Sequence, residues 1–379
     1  MNQEIKYSKG LDGVIAAESK ISIVDGIAGK LYYYGYNIAD LVEKSHFEEV
    51  SYLLLYGHIP SPSQLEAYID KMLKYRRIHR STLRILKSLP KETHPMKALQ
   101  TAFSGLGGVW DNKKNSHPAE ILLAYISQVP LIVAAYYRIM NGLAVVEPEI
   151  DLSFAANFLY MIHGEKPTKE NEEIFDKILV MHAEHGFCAS TFTARVVAST
   201  LAPVSCALSA AVGALYGPLH GGANEGVLKM LEEIGSPDKV ETWLAQAMAE
   251  KRKIDGMGHR IYKVKDPRAI LIQGLLRAIK KNEDTQNKVA ILEKLEENFT
   301  NLVEKQGKKI YPNVDFYSGT LLHIMNIDPI LFTTIFAIAR TVGWSAHIAE
   351  QWNDNRIFRP ITLDTGNRDI TYIPLSERH

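Results

Sequence analysis

The chain has 379 residues, 46% of them apolar and 23% charged, and a formal net charge of zero. That is enough material for two or three domains' worth of packed core, and it leaves no bulk electrostatic case for a nucleic-acid or anionic-membrane partner. The two cysteines, Cys188 and Cys206, make neither a disulfide framework nor a metal cluster and fit a reducing cytoplasm.

In chain order, the opening stretch Met1 to Gly10 lacks the basic-then-apolar layout of a signal peptide, so a cytoplasmic protein is expected. Residues 1–36 carry the strand signals: Ile21 and Ile23 alternate with Ser22, Asp25-Gly26 offers a turn, and Leu31 to Tyr34 resumes a β-prone run. From Asn37 the period becomes helical. Ser45 to Glu48 reads as a capping box for a helix closed by Gly57, and Ser61-Pro62-Ser63-Gln64 opens the next in the same way. Further helices are expected at 66–76, 80–88, 95–109, 118–141, 151–163 and 169–184. Val196 to Leu215 is nearly uncharged and about as long as a bilayer span. Its small residues and the Pro203 break argue for a buried helical pair and no membrane. A helix is expected from Ser236 to about Lys253, then a charged helical run over 267–307 with Leu275, Leu276, Ile279, Leu292, Leu295 and Leu302 inward, then a long apolar pattern from Leu321 to Trp352. The charged insert, about 222–319, between two apolar blocks reads as a smaller domain on a larger helical one. GxGxxG, P-loop and βαβ patterns are absent, so nucleotide folds lack support.

Four stretches carry residues suited to chemistry. In His182-Ala183-Glu184-His185 the histidines share a helical face, but the pattern is not HExxH and no further ligand follows at metal spacing. In Gly217-Pro218-Leu219-His220-Gly221-Gly222, glycines let a substrate approach the backbone beside His220; the plainer reading is a turn with an incidental histidine. Gly256-Met257-Gly258-His259 runs into Arg260, Lys263, Lys265 and Arg268, which is either an anion site or a solvated basic loop. In Tyr311 to Gly319, Asp315 stands among apolar neighbours that would raise its pKa, or else serves as a helix cap. Arg340 and Arg359 lie in apolar surroundings, where a guanidinium needs an anionic partner. Two histidines and an aspartate, with no cofactor fingerprint, suit proton abstraction beside a carbonyl, and the arginines suit a dicarboxylic acid.

The set resembles the citrate synthase family, of the shorter type found in archaea and many bacteria. The resemblance rests on HAEHGF-ASTF at 182–192, GPLHGGANE at 217–225, GMGHRIYK-DPRA at 256–269 and YPNVDFYSG at 311–319, and covers nearly the whole chain. It implies an all-α fold with short β segments near the N-terminus, a large domain (1–221 and 320–379), a small one (222–319) and a homodimer. It implies Asp315 as the base at the thioester's methyl carbon, His220 on the enolate oxygen and His259 on the oxaloacetate carbonyl. His185, Arg268 and Arg340 would hold oxaloacetate, with Arg359 reaching in from the partner subunit. Lys253, Ile254, Asp255, Gly256, Met257 and Gly258, with Lys263 and Lys309, would contact coenzyme A, whose thioester is a substrate; no cofactor or metal is implied. Cys188 stands where asparagine is common in the family. Two alternatives remain at this level: 2-methylcitrate synthesis from propionyl-CoA with the same catalytic set, and a non-catalytic helical protein that binds a carboxylate or a protein partner.

Overall fold

The computed structural model describes residues 7–111, 118–279 and 282–378. The stretch Met1 to Lys6, and Lys280-Lys281 within the charged helical run, lie outside the described residues. Strands β1 (Ser22–Asp25) and β2 (Lys30–Tyr33) sit where expected, and a short β3 (Tyr36–Asn37), not expected, joins them in one antiparallel sheet in chain order, with Ser22 opposite Tyr33 and Asp25 opposite Lys30. Asp25 Oδ1 accepts the N–H groups of Ile27 and Ala28 and so closes the β1–β2 turn.

Among the described residues the regular elements after β3 are helices, beside one isolated bridge between Met257 and Pro312, so the all-α class holds. Asn37 caps α1 (Ile38–Lys44), followed by α2 (Phe47–Tyr56), α3 (Pro62–Lys74), α4 (Arg80–Ser88), α5 (Pro95–Trp110), α6 (Pro118–Met140), α7 (Phe154–His163) and α8 (Lys169–His182). Then come α9 (Ala189–Ala198), α10 (Val204–Leu215), α11 (Ala223–Ile234), α12 (Val240–Ala249), α13 (Pro267–Ala278), α14 (Glu283–Glu304), α15 (Val314–Ile324) and α16 (Phe332–Asn353). Ser61 and Gln64 form the expected reciprocal capping box of α3. The Ser45 box does not form: His46 is the N-cap of α2, and the Ser45 hydroxyl turns to Glu49 instead. Gly57 closes α2 at φ +81°, as a left-handed cap requires.

The charged run divides in two, because Ile279 leaves the helical region and Asn282 begins a new helix by accepting the Thr285 N–H. Leu276, Leu292 and Leu295 are buried as expected, while Leu275, Ile279 and Leu302 pack partly buried against them. The apolar pattern at 321–352 likewise divides, at the Pro329 turn, into the end of α15 and all of α16. Helix α16 is the axis of the core: it packs on α2, α6, α8, α9 and α10 and is buried from Phe332 to Ile348. By length and apolarity α6 and the segment Pro329–Asn353 could cross a membrane, yet their apolar windows are 83% and 89% buried by this fold. The small-residue pair α9 and α10 packs closely, with Pro203 at the N-cap of α10. Helices α11 to α15 pack largely on one another, α11 against α15 and α14, α12 against α14, and α13 against α15, while α11 also meets α16 and α13 meets α1 and α8.

Candidate active site

Two loops far apart in sequence are stitched together to present His259 and Asp315. The Gly258 N–H donates to the Tyr311 carbonyl at 2.8 Å, the Asn313 N–H to the Gly256 carbonyl at 2.9 Å, and the Asn313 side chain to the Gly258 carbonyl at 2.8 Å. Gly256 is required here: its φ is +74°, and a Cβ would stand 2.6 Å from the Phe316 Cα. Asn313 also caps α15, accepting the Asp315 N–H, which frees the Asp315 carboxylate from capping. Asp315 is 7% exposed, and its Oδ1 has no hydrogen-bond partner among the described residues. Burial raises its pKa to about 6 against the opposing charge of Arg268, with buried Asp266 adding to the rise.

His259 Nδ1 accepts the N–H groups of Ile261 (3.1 Å) and Tyr262 (3.2 Å). An acceptor Nδ1 places the proton of the neutral ring on Nε2. Burial, reinforced by Arg268, lowers the His259 pKa to about 4, so this ring is a neutral donor at physiological pH. His185 stands edge-on to it, ring centres 5.1 Å apart, with Nε2 3.1 Å from the Tyr262 hydroxyl. Burial and Arg268 also push His185 well below the ordinary histidine range.

Arg268 is the electrostatic centre of the group. Asp266, at the N-cap of α13, takes its Nε at 3.1 Å and Nη2 at 2.7 Å and its backbone N–H at 2.9 Å, with both side chains almost fully buried. Burial disfavours the guanidinium charge, but Asp266 outweighs it and raises the Arg268 pKa. Arg340, 1% exposed on α16, donates Nε–H to the His182 carbonyl (2.9 Å) and Nη1–H to Cys188 Sγ (3.3 Å), and its Nη2 has no partner among the described residues. A buried guanidinium with an unspent donor is what an anionic ligand satisfies.

His220 comes from the turn before α11. Its Nε2 accepts the Ser190 N–H (3.3 Å) and lies 2.8 Å from Ser190 Oγ, which in turn accepts Trp344 Nε1–H at 3.2 Å. This arrangement puts the proton on Nδ1, opposite to His259. The two imidazoles are thus held in different tautomers by backbone donors.

The structure therefore brings His185, His220, His259, Arg268, Asp315 and Arg340 into one electrostatic neighbourhood. Arg359 is not among them in this chain; it is exposed and lines a separate cavity of about 880 Å³ with Val14, Phe192, Arg195 and Phe358. Of the segment Lys253 to Gly258, Ile254 and Met257 are buried, and Asp255 packs against Gly226 and pairs with Lys253 at 3.5 Å. The backbone of Gly256 and Gly258 is engaged with residues 311–313, as above. Lys263 and Lys309 are exposed. His185, His259 and Asp266 offer atoms within 4.8 Å of one another, but the Asp266 carboxylate is held by Arg268, whose charge makes the spot anion-seeking. Sequence reasoning missed Asp266 as a counter-ion, Tyr262, Ser190 with Trp344, and Glu184. Fully buried Glu184 meets His347 Nε2 at 3.0 Å and accepts from Ser22 and Gly186, anchoring the His185 loop to β1 and α16. Only the Asp-Pro-Arg cap pattern signalled any of these.

A buried carboxylate, two imidazoles held through opposite ring nitrogens and enclosed guanidinium groups are suited to moving protons on an anionic substrate. A family model described as "Citrate synthase, C-terminal domain" matches residues 10–361. A citrate synthase of Synechocystis sp. is 42% identical over 378 residues, spanning 98% of this chain and 94% of that protein. A citrate/2-methylcitrate synthase of Bacillus subtilis is 39% identical over 372 residues, spanning 97% of this chain and 99% of that one. The solved ternary complex of carboxymethyl coenzyme A and oxaloacetate with citrate synthase from Thermoplasma acidophilum matches with a TM-score of 0.93 at 30% identity, covering 98% of this chain and 100% of that one. The chain belongs to the citrate synthase family, enzymes of the acyltransferase type.

Proposed function

We propose that the protein condenses acetyl-CoA with oxaloacetate and water, giving citrate and coenzyme A. The observation that carries this reading is the pairing of a buried carboxylate, whose Oδ1 has no hydrogen-bond partner among the described residues, with two imidazoles whose protons sit on different nitrogens. Asp315 takes a proton from the thioester's methyl group while His220 Nδ1–H hydrogen-bonds the oxygen that becomes the enolate. The enolate carbon then attacks the oxaloacetate carbonyl carbon, and His259 Nε2–H protonates the carbonyl oxygen. Hydrolysis of the resulting thioester releases the thiol. A base with a pKa of about 6 stays ionised at neutral pH yet binds a proton more tightly than an ordinary carboxylate.

In this reading His185, Arg268 and Arg340 hold oxaloacetate, and residues 253–258 with Lys263 and Lys309 face coenzyme A. The small domain (222–319) closes on the large one (1–221 and 320–379) after oxaloacetate binds, excluding water from the enolate. The self-packing of α11 to α15 supports that division. A homodimer with Arg359 crossing the interface accounts for the exposed C-terminal segment, where Ile361 (68%), Ile370 (74%) and Leu375 (78%) show apolar surface that a second copy would cover. The proposed location is the cytoplasm, in keeping with cysteines that are both free thiols.

The enolisation step is testable apart from condensation. With malate in place of oxaloacetate, the methyl protons of acetyl-CoA should exchange with D2O in the presence of the enzyme, and Asp315→Asn should abolish the exchange. Exchange that survives in Asp315→Asn would remove Asp315 as the base.

A further inference from the structure

Cys188 lies inside this site, and the enolisation chemistry leaves it unused. It is the N-cap of α9, a ten-residue helix, so its sulfur sits at the positive end of the helix dipole. The Ser190 and Thr191 hydroxyls lie 3.3 and 3.2 Å from Sγ, and Arg340 Nη1–H donates to it at 3.3 Å. His220 also lies beside the sulfur and favours its charged form. Hydroxyls from α9, a guanidinium from α16 and an imidazole from the turn before α11 thus converge on one sulfur. Arg340 is 1% exposed and its Nη2 has no partner among the described residues, so the same guanidinium that faces the sulfur has a donor waiting for a second anion. Cys188 as a residue is half-buried.

We propose that Cys188 stands as a thiolate in the ligand-free pocket and is a modification site for small, uncharged, soft electrophiles, shielded when oxaloacetate occupies Arg340. The shielding rests on the oxaloacetate reading above; the thiolate does not. The thiolate is favoured because, although burial works against the charge, Arg340 and the hydrogen bonds outweigh it and bring the pKa down to about 5. In alkylation by iodoacetamide, the sulfur lone pair forms the S–C bond, the C–I bond breaks, and iodide leaves. The added group fills the space beside Arg340 Nη2 and blocks carboxylate binding.

The probe is iodoacetamide on the native protein, followed by peptide mass spectrometry, with exposed Cys206 as the internal comparison. Between about pH 6 and pH 8 the Cys188 rate should rise less than threefold, against about 75-fold for a thiol of ordinary acidity. Saturating oxaloacetate should slow Cys188 at least tenfold and leave Cys206 unchanged. A Cys188 rate that climbs with pH as an ordinary thiol does would overturn the thiolate, whether or not the preparation turns over. A rate flat in pH but indifferent to oxaloacetate, in a preparation that turns over, would overturn the shielding. The same indifference in a preparation without turnover would overturn the oxaloacetate reading and leave the thiolate standing.

Discussion

Replacing Asp315 by asparagine should make the protein more stable and far less active. In the unfolded chain this carboxyl ionises near 3.8, whereas burial in the fold raises its pKa to about 6. Between those values the fold keeps a proton that the unfolded chain has released, so stability falls as pH rises through the window. The cost is absent below about pH 4 and complete above about pH 6, and it amounts to roughly 3 kcal/mol. Asparagine removes that cost but forfeits the attraction of the carboxylate to the α15 N-terminus, about 0.3–1 kcal/mol, leaving a gain of about 2 kcal/mol at pH 7.5. With about 2.1 cal/mol/K per residue over 379 residues, the melting temperature should rise about 3 °C. Thermal melts of both proteins from about pH 4.5 to pH 7.5 would show the gap opening with pH, while turnover of the variant falls by about 10²–10⁴. A variant that melts lower at pH 7.5, or a gap that ignores pH, would refute the argument that Asp315 is held as a strained, desolvated base.

Asp266→Asn should cost about 3–5 kcal/mol, because it strands the buried Arg268 charge, and should lower the melting temperature by about 4–6 °C. It should also move the acidic limb of kcat/KM to lower pH, since Asp266 helps to raise the Asp315 pKa. Gly256→Ala forces a Cβ to within 2.6 Å of the Phe316 Cα at a positive φ, so kcat should fall at least about tenfold as the His259 and Asp315 loops lose register; steady-state kinetics on folded variant would check it. Mixing Asp315→Asn with Arg359→Ala subunits, each inactive alone, should restore about a quarter of wild-type turnover if Arg359 acts across a dimer, since half the dimers are mixed and each has one complete site. No recovery from subunits shown to exchange would place Arg359 in its own subunit's site.

The helices and their ends were legible because capping and periodicity are local. Ser61 with Gln64, Gly57 and Pro203 each mark a boundary through groups within a few residues of one another. Ser45 misled because its hydroxyl donates to Glu49, one turn on, instead of accepting a backbone N–H of α2. The chemistry-bearing stretches were legible because glycine and proline punctuation surrounds polar side chains there, and both readings of the Asp315 stretch contain truth: a cap is present, but Asn313 supplies it. What the sequence hid were partnerships across long separations. Glu184 meets His347 163 residues away, and Arg340 reaches Cys188 across 152. The tautomers of His220 and His259 depend on backbone N–H groups whose directions exist only once the loops have folded.

The most direct test is free-thiol release on mixing the protein with oxaloacetate and acetyl-CoA, then with propionyl-CoA, without added metal. Rapid release with acetyl-CoA and weak release with propionyl-CoA is the expected result. Preference for propionyl-CoA would transfer the activity to 2-methylcitrate synthesis on the same residues, a difference of one methylene worth about 1–3 kcal/mol. No release with either thioester, from protein shown to be folded, would contradict the catalytic account.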